Sequence, residues 1–301
     1  MLPFQLRFQI RDLEEFSGVK AHTIRMWEKR YGLLSPERTD TNIRTYGVDE
    51  LKAILNVAYL NRHGYKISKI AKLPVMDRDR LVREVATRDD QGEGVINGLQ
   101  MAMLGFDEAL FRSVTVKFRL AHGFPALVER IYVPLLERIG VLWQTSSICP
   151  AHEHFVSNLI RQDLIAATEA LTVPTREDSP IHVLFLAENE LHELGLLYVN
   201  HLLRTEGQRT IYLGQSVPRE DLVQVAGLFS KQLVFVTILM AYPLAPELPD
   251  YLTQLRNDLP GERITFRIAG SQLKKLPDYK APEGMRTYVS MADLLADLRT
   301  A

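Results

Sequence analysis

Apolar residues recur at helical intervals through the first quarter of the chain. Ile10, Leu13 and Phe16 mark one face over residues 8–17, and Gly18-Val19 breaks the pattern. A second periodic run, KAHTIRMWEKRY, begins at Lys20 and stops at Gly32. Two short helices joined by a glycine-containing turn predict a helix-turn-helix. On the second helix Ile24 and Trp27 can pack inward, which leaves Lys20, His22, Thr23, Arg25 and Lys29 facing out, a mixture suited to a DNA groove. The turn-rich stretch LLSPERTDTNIRTYGVDEL follows, punctuated by Arg38, Asn42, Arg44 and Tyr46, and predicts a two-stranded wing. DELKAILNVAYLNRHG and KISKIAKL read as two further helices, and MDRDRLVREVATRDD as a short one that QGEG, residues 91–94, breaks.

Residues 95–172 carry apolar side chains at three- and four-residue intervals in four successive runs, which predicts a four-helix bundle. Asp107, in Phe106-Asp107-Glu108, is placed to cap the second of these helices. A polar linker, VPTREDSP, then gives way to alternation. IHVLFLA, TIYLG, LVFVTILM, RITFRIAG and MRTYVS read as strands. ELHELGLLYVNHLLRTEG, PREDLVQVAGLFSKQ, PELPDYLTQLRNDL, SQLKKLPD and MADLLADLRT read as helices between or after them. Such alternation predicts a doubly wound, Rossmann-like parallel sheet, with ligands bound at the carboxyl ends of its strands. The expected organisation is α followed by α/β: a reader over 1–75, a linker helix and bundle over 76–172, and a sheet domain over 180–301.

Charge sharpens this division. The formal net charge of −1 conceals an uneven split, because residues 1–75 hold 13 Lys/Arg against 8 Asp/Glu while the rest is acidic. A basic module joined to an acidic body points to nucleic acid as the partner of the first. The single cysteine, Cys149, cannot form an internal disulfide, and the N-terminus has no signal-peptide pattern, so a cytoplasmic protein is expected. The longest apolar stretch, Leu233–Ala245, is too short for a membrane span. No zinc-spaced Cys/His cluster, dinucleotide fingerprint or Walker loop is present.

The motifs reach two families. IRDLEEFSGVKAHTIRMWEKRYGLLSPERTDTNIRTY resembles the winged helix-turn-helix of MerR-type transcription regulators through its Thr-Ile-Arg-x-Trp-Glu core, its Gly-Leu-Leu-x-Pro-x-Arg passage and its closing Arg-x-Tyr. The resemblance places Arg25 and Trp27 on or near the recognition helix, and Arg38, Arg44 and Tyr46 in a wing that contacts phosphates. It also implies a duplex operator bound by a homo-oligomer. Trp143 with Glu153-His154 after nine intervening residues resembles the helical cap of CarH-type cobalamin photoreceptors, where these side chains cover the upper face of the cofactor. Glu190-x-His192-x-x-Gly195 resembles the cobalamin signature Asp-x-His-x-x-Gly. By that resemblance His192 is the lower ligand of cobalt, Glu190 orients its ring, and Gly195 leaves room for the nucleotide tail of adenosylcobalamin or methylcobalamin. YLGQSVPREDL matches the family's second loop. The order reader, cap, cobalamin domain is that of CarH-type regulators.

Four positions depart from the pattern. Glu190 replaces aspartate, Thr237-Ile238-Leu239 replaces Ser-x-Leu, and Gly270-Ser271 replaces a Gly-Gly pair beside the tail. Gln144 stands where light sensors of this type place a histidine that takes the upper face after photolysis. The remaining histidines, including His152, His182 and His201, read as structural. Two functions stay open: a DNA-binding regulator that senses a corrinoid, or the same regulator with a degenerate fold that binds a protein partner or another small ligand. A cobalamin enzyme would need a substrate domain such as a barrel, and no segment reads as one, so an enzyme is not expected.

Overall fold

A computed structural model describes residues 7–39, 41–86, 92–144, 150–176 and 178–300. The chain divides into two compact units, Met1–Leu159 and Ile160–Ala301.

The first unit opens with α1 (Ile10–Ser17) and α2 (Ala21–Tyr31). Both end on glycines in the left-handed region, Gly18 at φ 66° and Gly32 at φ 62°, whose N–H groups close onto Glu14 and Glu28 carbonyls. That conformation strains any residue with a Cβ, which is why the helical patterns stop there. β1 (Glu37–Arg38) and β2 (Arg44–Thr45) pair antiparallel as the wing, and Phe8 bridges to Tyr46 beside them. Phe8, Leu13, Phe16, Ile24, Trp27, Tyr46 and Leu51 are buried. α3 (Val48–Arg62) follows. The expected KISKIAKL helix shrinks to one turn, α4 (Ile67–Ile70).

α5 (Val75–Ala86) precedes α6 (Gly92–Gly105). The expected break at 91–94 is corrected in part: Gly92, Glu93 and Gly94 form the first turn of α6, where side-chain contacts outweigh glycine's weak helix propensity, and Gln91 lies outside the described residues. α7 (Glu108–His122) is capped by Asp107, which accepts the Leu110 N–H at 3.0 Å. The third bundle run is α8 (Phe124–Leu127), a π-helical turn (Val128–Tyr132) and α9 (Val133–Gln144). Pro134 lacks an N–H, and its ring would press on the Arg130 carbonyl in a regular helix; the wide turn before it relieves both. α10 (Pro150–Glu169) contains the division between the units.

In the second unit β3 (Ile181–Ala187), β4 (Arg209–Val217), β5 (Leu233–Ile238), β6 (Ile264–Ala269) and β7 (Met285–Tyr288) form one sheet, ordered β4-β3-β5-β6-β7. Every pairing is parallel. β3 and β5 are buried along their whole length and apolar but for His182 and Thr237, as suits inner strands of a covered sheet. α11 (Leu194–Thr205), α12 (Arg219–Gly227), α13 (Leu248–Asp258) and α14 (Met291–Thr300) make the connections and the end. SQLKKLPD supplies only a 3₁₀ turn, Leu273–Lys275, instead of the expected helix. The chain leaves β3 for β4 on one side and returns to β5 on the other. The crevice of this topology therefore lies at the carboxyl ends of β3 and β5. Among the described residues no helix is long and apolar enough to cross a membrane.

Candidate functional site

The residues after β3 and β5 meet at that crevice around one carboxylate. Glu190 is fully buried. Its Oε1 accepts the backbone N–H groups of Leu191 at 2.9 Å and His192 at 3.1 Å, and lies 2.5 Å from His192 Nδ1. Its Oε2 accepts three consecutive N–H groups after β5: Met240 at 2.8 Å, Ala241 at 2.6 Å and Tyr242 at 3.0 Å. Burial alone would raise the pKa of this carboxyl. The His192 imidazole and the amides of Tyr242, Ala241 and His192 outweigh burial and hold it at about 2. The carboxylate is thus charged, and Nδ1 is the nitrogen that carries the proton toward it. Nε2 then bears the ring's lone pair, the form a metal requires. The imidazole is 61% exposed, so that lone pair is within reach of a ligand above the sheet.

The extra methylene of Glu190 therefore has a use. The side chain reaches across the crevice and binds the β5 loop with one oxygen while orienting the ring with the other. Gln272, buried and absent from the sequence-based set, grips the same loop from the far side. Its amide donates to the Met240 and Ala241 carbonyls at 3.0 and 3.1 Å, and its oxygen accepts the Ala245 N–H at 3.1 Å. The carboxyl end of β4 closes the third side: Ser216 Oγ accepts the Asn189 N–H at 3.1 Å, and Gln215 donates to the Leu191 carbonyl at 3.0 Å. Glu193, also missed, is buried and receives Arg161 Nε at 2.5 Å and the Tyr212 hydroxyl at 2.9 Å. Periodicity marks only apolar faces, so it could not single out these polar partners.

The remaining cofactor positions separate. Thr237 is fully buried, and its Oγ1 has no hydrogen-bond partner among the described residues. Leu239 is buried and joins the sheet core. Gly270, at φ 138°, is required by the protein itself, since a Cβ there would meet the Leu239 carbonyl oxygen at 2.1 Å. A Cβ on Gly195 would come within 3.0 Å of Ile238 Cδ1, with Met291 also near. Ser271 turns its hydroxyl onto the Met240 carbonyl at 2.9 Å. Trp143 and Gln144 end α9, and their side chains lie outside the described residues. Glu153 and His154 stand on the first turns of α10, 3.9 Å apart, with His154 exposed. His152, His182 and His201 are buried.

The reader has its own organising carboxylate. Glu28 on α2 accepts Arg44 Nε at 3.1 Å and the Tyr46 hydroxyl at 3.1 Å, fastening the wing to the helix. Burial, then the Glu28 charge, push the Tyr46 hydroxyl up to about 12, so it remains a donor. Trp27 and Tyr46, expected as contact residues, are instead buried in the reader's core, where they hold α2 and the wing in place. His22, Arg25 and Lys29 are exposed on α2 and Thr23 is half-buried; Met26 and Arg30, not expected, are exposed beside them. Lys20 pairs with Glu14 at 2.9 Å, and Arg38 donates to Asn42 Oδ1 at 2.6 Å across the wing tip.

Comparison with known proteins finds two matching families and individual relatives. Residues 8–74 match the family described as MerR HTH family regulatory protein, and residues 95–166 match the B12 binding domain. The chain is 30% identical over 259 residues to the HTH-type transcriptional repressor CarH of Myxococcus xanthus, covering 84% of this chain and 85% of the relative. It is 28% identical to the HTH-type transcriptional repressor CarA of the same organism, covering 71% and 70%. The Methanosarcina barkeri monomethylamine corrinoid protein aligns with a TM-score of 0.52 at 16% identity, covering 70% of this chain and 100% of that one, a likeness of fold alone.

Two stability predictions follow from the crevice. The Glu190 carboxyl is more acidic folded than unfolded, so its contribution is complete above the ordinary carboxylate range and is lost as pH falls from 4.5 toward 2. Glu190→Gln should remove on the order of 3 kcal/mol near neutral pH and flatten that part of the stability profile. Denaturant unfolding across the acid range measures both; a variant profile parallel to wild type would refute the charge assignment. Gly270→Ala should cost roughly 2–4 kcal/mol, read as a lower denaturant midpoint, whereas an unmoved midpoint would mean that Leu239 does not crowd this position.

Proposed function

The chain belongs to the MerR-type helix-turn-helix regulators that carry a B12-binding domain, the family of the CarH and CarA repressors, and from that premise we propose that a corrinoid on His192 sets its operator affinity. The observation that carries this reading is the imidazole held through Nδ1 by a buried, charged Glu190. The donor set fits the lower face of a corrinoid, and the unpartnered Thr237 hydroxyl offers a buried polar contact for its tail. When bound, cobalamin would supply a cobalt centre able to exchange ligands. His192 would hold it and Glu190 would fix the imidazole ring; by family likeness Trp143, Glu153 and His154 would cover the cofactor. Gly195, Leu239, Gly270 and Ser271 shape the backbone around the tail, and the flexible ends of Ile238 and Met291 must turn aside for it. With Gln144 in the place of an upper-face histidine, we assign the switch to corrinoid occupancy and not to photolysis. The packing of Ile238 against Gly195 is what favours the second reading, a domain that keeps the fold but takes another ligand or a protein partner.

On the DNA side, α2 offers Lys20, His22, Thr23, Arg25 and Lys29 to the major groove, and Arg38, Asn42 and Arg44 approach phosphates from the wing. Base contacts select sequence, whereas phosphate contacts set affinity and its salt dependence. Two copies on a near-palindromic operator would double both. Differential corrinoid affinity between two arrangements of such an assembly then shifts DNA binding.

Arg38→Ala should weaken binding across all duplexes and reduce the slope of log affinity against log salt by roughly 0.9 per copy; an unchanged slope would remove Arg38 from the interface. For the cofactor, the full chain is mixed in the dark with adenosylcobalamin or methylcobalamin, desalted, and its visible spectrum recorded before and after light. Retained colour with imidazole-ligated bands, lost in His192→Ala, is the expected result. A colourless wild-type protein would leave the second reading standing.

A further inference from the structure

Glu193 follows the imidazole directly along the chain, yet its carboxylate turns away from Glu190 to a separate pair of partners. Its side chain is 7% exposed. Tyr212 reaches it from β4, inside the sheet, where strand pairing sets Leu184 opposite Tyr212. Burial and the Glu193 carboxylate push that phenol well above its ordinary range, so it stays a donor and a fixed anchor. Arg161 reaches Glu193 from α10 and is 47% exposed. A buried carboxylate cannot shed a partner without leaving uncompensated charge, so Arg161 must follow wherever Glu193 goes. The loop before it has little slack. Asn189, Glu190 and Leu191 are tied through backbone groups to Ser216 and Gln215 at the end of β4. A displacement of the His192 backbone therefore passes forward, to Glu193. Arg161 lies two helical turns beyond His154, on the helix that also carries Glu153.

Resting on the corrinoid reading, we propose that Glu193 is a positioning residue that reports the ligation state of His192 to α10 through Arg161, with Tyr212 as the anchor it pivots on. The ion pair thereby connects the loop that carries His192 to α10.

The test uses the full chain as wild type, Arg161→Met and Arg161→Lys. The readouts are absorbance of bound adenosylcobalamin, affinity with and without it for a duplex that wild type enriches from a random pool, and His192 ring signals by NMR with no corrinoid present. Arg161→Met should keep the bound absorbance and the corrinoid-free DNA affinity. Its corrinoid-dependent change in affinity should fall from roughly 5–150-fold, the usual span of such coupling, to about one, and Arg161→Lys should restore part of it. A corrinoid-dependent ratio in Arg161→Met equal to wild type would overturn the proposal. If wild type takes up no corrinoid, the functional reading fails separately and the NMR arm decides: His192 signals moved by Arg161→Met support the link, and unmoved signals overturn it. Should Arg161→Met not fold, Glu193→Gln is read by the same criteria.

Discussion

A single buried negative charge organises the crevice of the sheet domain. Glu190 could not remain ionised without exposure unless its lone pairs were met, and five backbone amides and one imidazole meet them. The amides come from two loops that follow different strands, so the same charge that sets the histidine's tautomer also fixes the distance between those loops. Gln272 then secures the carbonyls that the amide donors leave pointing the other way. An apolar residue at 190 would leave three consecutive N–H groups unpaired inside the protein, a costly arrangement that native structures avoid.

How much of this was legible beforehand depended on what each residue does. Apolar runs placed β3 and β5 because an inner strand of a parallel sheet is covered on both faces, and β3 coincides with IHVLFLA. Gly18 and Gly32 marked real helix ends because both adopt positive φ. Gly92 and Gly94 misled because a glycine is also tolerated inside a helix whose other faces are buried. SQLKKLPD has helical composition, but Gln272 is committed to the β5 loop, and the segment makes only one tight turn.

The site was legible through motif likeness more than through chemistry. His192 and Glu190 could be named from their spacing, yet the three amides that receive Glu190 lie fifty residues away in sequence. Gly270 makes room for the Leu239 backbone, a close approach that the motif alone did not reveal. Trp27 illustrates the opposite case: helical spacing turned it inward, and it is buried in the reader's core.

The Glu28 clamp has a bearing on energetics. Arg44 and Tyr46 join the wing to α2 through the same carboxylate, and Phe8 stitches the wing's base by two backbone hydrogen bonds. The wing therefore carries little conformational freedom to surrender when it meets a polyanion. Association then draws on complementarity instead of loop ordering, so the reader approaches a double helix as a pre-cut template, its two contact edges spaced before any base is touched.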